Sequence, residues 1–329
     1  MTGRIQLIPY RKNLGEYWRD FSKEIISILL VIVLIVVGAI VNRGSADITY
    51  LLVRIKVASF IGMIGLIQAT VILSGGGGID VSVGTMASMG ALFGASIMQG
   101  RNEMLVPAIL AVGSAGLVLG SVNGIMIARL RIHPLIQTLA MSFVITGIII
   151  AYSQGRMLLG KPSRVIEELV NNKIGPVYVI ILLWLGLTLV IEFFLRRSRT
   201  GRKLTAVGTN EKAALLSGIN VPAFRIGIYA FSGLCSSVFG VLVLGYVHTV
   251  YLDVGNQYLF PSVVACTIGG ISLAGGSGSY VGVLGGALVY IFLQSFLVTI
   301  NMNEAWRKVI FGLILVVVLI AYSRNKRQR

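Results

Sequence analysis

Ten apolar runs, most of them close to twenty residues long, divide this 329-residue chain. Their approximate bounds are 24–42, 51–73, 82–98, 105–128, 135–152, 177–195, 225–247, 258–273, 281–299 and 306–322. About twenty apolar residues wound as a helix cross the hydrocarbon core of a bilayer. Each run therefore reads as a membrane span, the third and eighth being short and glycine-rich. Composition closes off the soluble alternatives. The chain is 56% hydrophobic and only 12% charged, whereas soluble domains carry roughly 25% charged residues. So few charges cannot cover such a core in water, which excludes a water-soluble enzyme. Abundant apolar surface and dispersed aromatics exclude a disordered chain. The expected fold is an all-α polytopic membrane protein of about ten transmembrane helices, with a membrane domain over 24–322. It lies between an N-terminal segment, 1–23, and a basic tail, 323–329.

The net charge of +16, from 28 Lys+Arg against 12 Asp+Glu, could suggest nucleic acid. In a membrane chain it more often marks cytoplasmic loops. With a cytoplasmic N-terminus, eighteen of the 28 basic residues fall in inside segments. The densest clusters, Arg196–Lys203 and Arg324–Arg329, are both inside only if the span count is even. Ten spans with both termini cytoplasmic is the expected topology, and nucleic acid is not an expected partner. The first run follows more than 20 polar residues and ends in Val-Asn-Arg without a small-residue cleavage site, so it reads as a span, not a signal peptide. Tyr10, Tyr17, Trp18 and Phe21 among basic residues fit either a helix in the headgroup layer or a solvated basic tail.

Two glycine-rich stretches align without a gap at an offset of 192: GGIDVSVGTMASMGALFG at 77–94 and GGISLAGGSGSYVGVLGG at 269–286. Gly77, Gly78, Ile79, Gly84, Gly90 and Gly94 fall on Gly269, Gly270, Ile271, Gly276, Gly282 and Gly286. Irregular backbone cannot face lipid, because unpaired amides cost several kcal/mol there. Paired helix breaks point to a transporter's permeation path. Gly77, Gly78 and Gly84, with Gly269, Gly270 and Gly276, are the expected helix-break glycines. Gly90–Gly94, Gly282–Gly286 and the series Gly116, Gly120, Gly124 suit close helix contacts. Asp80 is the one acid in a break. It reads as the N-cap of the third span, with Ser272 as its counterpart, or as a substrate or gating contact.

Thr138, Ser142 and Thr146 make a hydroxyl stripe on the fifth span, and Gln68, Asn123, Gln137 and Gln294 add uncharged amides. Each suits interhelical hydrogen bonding; together they suit a neutral polar solute such as a sugar. Asp80, Asn123, Gln137, Thr138, Ser142 and Gln294 are the translocation-path candidates. Glu192 has a local partner in Arg196. His133 precedes Pro134 in a turn and His248 sits at a span end, neither with an acid nearby in sequence. Cys235 and Cys266 lack metal-type spacing and read as small hydrophobes. No catalytic or metal residue is expected. No GxxxxGK[ST] segment exists, so the chain carries no P-loop of its own. Within 200–220, Asn210 is a good N-cap, Glu211 suits a first turn, Ala213–Leu216 favour helix and Gly218 is a stop. A helix of about two turns, marginal alone in water, needs to pack on its own membrane domain or in a partner's groove.

Four segments, SGGGGIDVSVGTMASMGA, HPLIQTLAMSFVITG, GRKLTAVGTNEKAALLSGIN and VVACTIGGISLAGGSGSYVGVLGGAL, occur in order. They resemble the membrane (permease) subunits of bacterial ABC importers for monosaccharides, specifically the ribose-type permeases, which include autoinducer and xylose permeases. The resemblance covers about residues 55–322. It implies a dimer with a second permease copy or paralogue in the bacterial cytoplasmic (inner) membrane. A cytoplasmic ABC ATPase carrying ATP and Mg, and a periplasmic sugar-binding protein, are the implied partners; no cofactor is implied in this chain. Gly208, Asn210, Glu211, Ala213, Ala214 and Gly218 look like the segment coupled to the ATPase, and both breaks would flank the path. The four glycines at 75–78 depart from the family pattern, which shows fewer. The rival expectations are an ion-coupled secondary transporter, which should bury several acids in its spans, and a passive channel, which needs no docking helix.

Overall fold

The computed structural model describes residues 14–154 and 160–326, with side chains over 25–154 and 160–317. The aromatic cluster expected in 1–23 and the basic tail lie outside the described side chains. The described residues are nearly all helical, with one antiparallel hairpin of two-residue strands among them, β1 (Lys173–Ile174) and β2 (Val177–Tyr178).

Each apolar run falls on a helix. These are α1 (Leu14–Val41), α2 (Ile48–Leu73), α3 (Val83–Met98), α4 (Leu105–Arg129), α5 (Pro134–Ser153), α7 (Val179–Arg197), α10 (Val221–Val247), α11 (Leu259–Ile268), α12 (Tyr280–Thr299) and α13 (Glu304–Lys326). Three short helices lie between them: α6 (Arg164–Asn171), α8 (Arg199–Thr209) and α9 (Glu211–Leu216). Among the described residues six helices are long and apolar enough to cross a membrane. α3 and α11 are not. At 16 and 10 residues they reach only about 24 and 15 Å.

Local chemistry sets the boundaries. Asp47 caps α2, accepting from Thr49 N at 2.8 Å and Tyr50 N at 3.2 Å. The Tyr50 and Thr49 amides hold its carboxyl below the usual range, because they bond the charged form. Asn210 caps α9 through Ala213 N at 3.0 Å, as expected, and Gly218 adopts φ +81° beyond it. α9 has six residues, shorter than two full turns, because Ser217 and Gly218 close it. The eleven-residue α8 before it was not anticipated. Ser198 starts it by accepting from Gly201 N, and Gly201, Leu204 and Val207 form its buried side.

α2 lies at the centre, with 89% of its most apolar window buried. α4, α5 and α7 are buried over only about a third of theirs, and they expose Leu110, Phe143, Leu189 and Phe193. An apolar exterior of that extent suits hydrocarbon. α10 packs along α4 at near-contact distance. A Cβ on Gly116 would lie 2.3 Å from the Gly233 carbonyl oxygen, one on Gly120 2.3 Å from that of Tyr229, and one on Gly124 2.6 Å from Ile226 Cα. Only small residues permit this approach. Cys266 is buried and donates its thiol to the Gly65 carbonyl at 3.2 Å, and both cysteines are free.

Candidate functional site

The first glycine segment, residues 74–82, is an irregular stretch of turns that runs alongside α10. Gly75, Gly76 and Gly77 have φ near +70°, a conformation costly for any residue with a Cβ. Gly76 lies against the Arg225 guanidinium, Gly78 against the Tyr229 hydroxyl, and Asp80 accepts from Ser232 Oγ at 2.8 Å. α3 therefore starts level with Ser232, about 16 Å along α10 from its first residue. On the other side, the loop before α11 meets it. Gly255 N donates to Ser88 Oγ at 2.9 Å, and a Cβ on Gly84 would meet Asn256 Cα at 3.0 Å.

These contacts revise three expectations. Gly84 is not in the break but in the first turn of α3, where it admits the Gly255 loop. Asp80 is not the N-cap. That position is Ser82, which makes no side-chain cap bond; Asp80 instead accepts from Ser82 N (2.9 Å) and Ser82 Oγ (2.5 Å). Ser272 is not a cap either: α12 begins at Tyr280, capped by Ser279 through Gly282 N at 2.9 Å. The 192-residue offset thus aligns glycines but not elements, because the second segment continues to Ser279 while the first enters helix soon after Asp80.

Asp80 is fully buried and is the hub of a polar network. Besides Ser82 and Ser232 it is bracketed through its own backbone by the Gln68 amide, which donates to the Asp80 carbonyl and accepts from its N–H at 3.2 and 3.1 Å. Asn123 Nδ2 donates to Ser82 Oγ at 3.1 Å, and Asn123 Oδ1 accepts from Gln137 Nε2 at 3.3 Å. Thr138 Oγ1 accepts from Val81 N at 3.0 Å, and Ser142 Oγ donates to the Val81 carbonyl at 3.3 Å. Five of the six path candidates are thus brought together from three elements, the glycine segment, α4 and α5, none more than 8% exposed. Gln294 stands apart on α12, half-buried. Thr146 bonds back to its own helix at the Ser142 carbonyl.

The second segment, residues 269–279, is held mainly by backbone. Gly276 N donates to the Leu73 carbonyl at 3.0 Å, Ser272 N to Ser277 O and Gly275 N to Ser272 O. Gly208, near the end of α8, completes the junction. Its Cβ would lie 1.9 Å from the Leu73 oxygen and 2.5 Å from Gly276 N, and one on Gly275 would lie 2.4 Å from Gly75 Cα. Both glycine segments and α8 therefore touch chiefly through backbone, with the Thr209 hydroxyl beside Gly276. Glu192 ties α7 to this region: Oε1 accepts from Arg196 at 2.5 Å, as its spacing predicts, while Oε2 accepts from Tyr280 N at 2.6 Å.

α9 sits beside the junction. Ala214 is buried against Val207 and Val221, so it faces its own chain. Glu211 pairs with Arg225 at 3.0 Å. Asn210, Ala213 and Gly218 are exposed. A cavity of about 790 Å³ opens between α8–α9, the end of α7 and the second segment, lined by Arg196, Arg202, Ala213 and Ser279 among others. Leu216, absent from the sequence-based candidates, is 91% exposed. Sequence reasoning also missed Arg225, Tyr229 and Ser232. Their 4- and 7-residue spacing marks one face of α10, a signal available in the sequence. His248 does have an acid nearby, Glu167 of α6 at 3.2 Å, a pairing 81 residues apart. His133 lies against Gly77.

Comparison with known proteins places this geometry. The family described as "Branched-chain amino acid transport system / permease component" matches residues 69–319. The ribose import permease protein RbsC of Escherichia coli K12 is 28% identical over 98% of this chain and 99% of its own length. The autoinducer 2 import system permease protein LsrC of E. coli K12/DH10B is 27% identical over 94% and 91%. A probable ABC transporter permease protein, y4mJ, of Sinorhizobium fredii is 33% identical over 76% and 75%. No solved structure matches this chain. The match spans both glycine segments, the Asp80 hub and the α8–α9 junction, and by it the chain belongs to the family of ABC-importer permease components.

Proposed function

We propose that this chain is the membrane-spanning half of an ATP-driven importer that moves a monosaccharide or similar neutral, hydroxyl-rich solute inward. Ten spans with both termini in the cytoplasm, in a bacterial inner membrane, accord with the basic clusters around α8 and after α13. A second permease copy or paralogue completes the path. A periplasmic binding protein delivers the solute, and a cytoplasmic ATPase supplies the energy, with ATP and Mg held there. This chain does no covalent chemistry. The relatives named for ribose and autoinducer 2 support the solute class. The placement of the two buried acids supports it further: Glu192 is paired with Arg196, and Asp80 is fully buried among hydroxyl and amide donors, so neither is presented to a solute.

The observation that carries this reading is Leu216. With Leu215 it puts two adjacent leucines, 48% and 91% exposed, on the outer side of a six-residue helix among charged residues, and a partner's groove would bury both. α9 is fastened on one side by Ala214 and Glu211 and undercut on the other by the cavity, so a partner that moves it can move the junction of both glycine segments. Such motion drives transport only by favouring one of two states through contacts made in that state.

The test is co-purification. Leu216→Glu should abolish recovery of an ATPase with the permease while the permease itself remains folded in the membrane. Undiminished recovery would overturn the docking assignment.

A further inference from the structure

We propose that one face of α10, formed by Arg225, Tyr229 and Ser232, is the linkage that carries displacement of α9 to the Asp80 hub, with Arg225 as its positioning residue. The inference rests on the reading of α9 as the docking helix and adds how its motion travels inward.

Three contacts occur in register. Arg225, Tyr229 and Ser232 lie at i, i+4 and i+7, along one side of a helix. Gly76, Gly78 and Asp80 lie at alternate positions of the non-helical glycine segment. Seven helical residues rise about 10 Å, and the turns at Gly75–Ile79 hold the segment close enough to α10 to meet it at all three points. The outer two are polar. Arg225 bonds Glu211 of α9 at 3.0 Å while its guanidinium covers Gly76, and Ser232 donates to Asp80 at 2.8 Å. Arg225 is only 13% exposed and Glu211 46%, so the pair lies at the edge of the protein and is partly shielded from screening. The middle contact is packing: Tyr229 is buried and its hydroxyl has no hydrogen-bond partner among the described residues.

A shift of α9 therefore acts on Arg225 directly. Gly76 has no Cβ, and a Cβ there would approach the guanidinium to 3.1 Å, so the segment follows the arginine without steric relief. Asp80, at the far end, also holds α2 through Gln68 and, through Ser82, α4. One displaced ion pair thus reaches α10, the glycine segment and α4, and α2 once the Gln68 amide is turned toward the Asp80 backbone.

The experiment is charge reversal in permease reconstituted with its ATPase, reading solute imported per ATP hydrolysed. Glu211→Arg and Arg225→Glu should each lower that ratio about tenfold, a coupling loss of ordinary allosteric size. The double reversal should restore most of it, since the pair is re-formed with opposite sense. Cross-linking from Leu216→Cys to the ATPase is measured in every variant. Loss of cross-linking in the otherwise unaltered chain would sink the docking reading itself. Retained cross-linking with normal ratios in both single variants, or a double variant no better than the worse single, would overturn the linkage alone. Thermal melting of each variant separates misfolding from uncoupling, and Arg225→Lys, which keeps the charge, should retain part of the ratio.

Discussion

The two glycine-rich segments share a glycine pattern and few other residues, yet they are held in different ways. Residues 74–82 are fastened largely by side chains: Arg225, Tyr229, Ser232, Gln68 and Thr138 meet the segment at successive points. Residues 269–279 are fastened by backbone bonds to Leu73 and within the loop, and by contacts with Gly208 too close for any side chain. Glycine in both cases signals close approach and left-handed backbone. What the segment can do depends on the polar residues around it. A side-chain-held segment can exchange partners one at a time, whereas a backbone junction moves as a unit or not at all.

That contrast orders the expected damage. Gly208→Val should be the most severe change, because the new Cβ would overlap the Leu73 carbonyl and Gly276 N, both backbone. The cost should exceed about 3 kcal/mol and show as loss of folded, extractable protein. A normally folded variant would break the distinction between the segments. Asp80→Ala should come next, stranding Ser82 N–H, Ser82 Oγ–H and Ser232 Oγ–H at about 1–3 kcal/mol for each orphaned group, less what the site relaxes. Asp80→Asn keeps one acceptor oxygen and an amide that can face Ser232, so its cost should fall near 1 kcal/mol. Equal melting temperatures for the two variants would count against the hub.

Gly282→Leu should follow, with a Cβ 2.1 Å from the Gly269 carbonyl, and should lower expression and uptake more than Leu284→Ala, whose half-buried side chain contributes about 1 kcal/mol. Equal effects would sharpen the comparison by showing that the second segment can relax. Smallest of all, Gly147→Ala and Gly227→Ala have nothing within 4 Å. They should leave uptake unchanged and raise stability by at most about 1 kcal/mol. A loss of uptake in either would mean that glycine serves here beyond close approach.

Much of the fold was legible because membrane helices declare themselves by length and apolarity, and all ten runs fall on helices. The shortness of α3 was legible, since its run, 82–98, matches Val83–Met98. That of α11 was legible only in part, because its run continues five residues past Ile268 into non-helical chain, and hydropathy does not distinguish the two. The Asn210 cap and Gly218 stop could be read because capping is local. Five polar path candidates were named individually, but their convergence on Asp80 depends on how α3, α4, α5 and α10 pack. Arg225 looked like one more cytoplasmic charge. Its pairing with Glu211 follows from the elbow between α8 and α9, which no periodicity announces.

The central claim is that transport energy enters from outside this chain, through α9. The most direct test is solute accumulation in sealed vesicles containing the permease with and without its co-purified ATPase, binding protein and ATP being supplied. Concentrative uptake should require the ATPase and vanish with Leu216→Glu. Uphill accumulation by the permease alone, driven by an imposed ion gradient, would contradict the account.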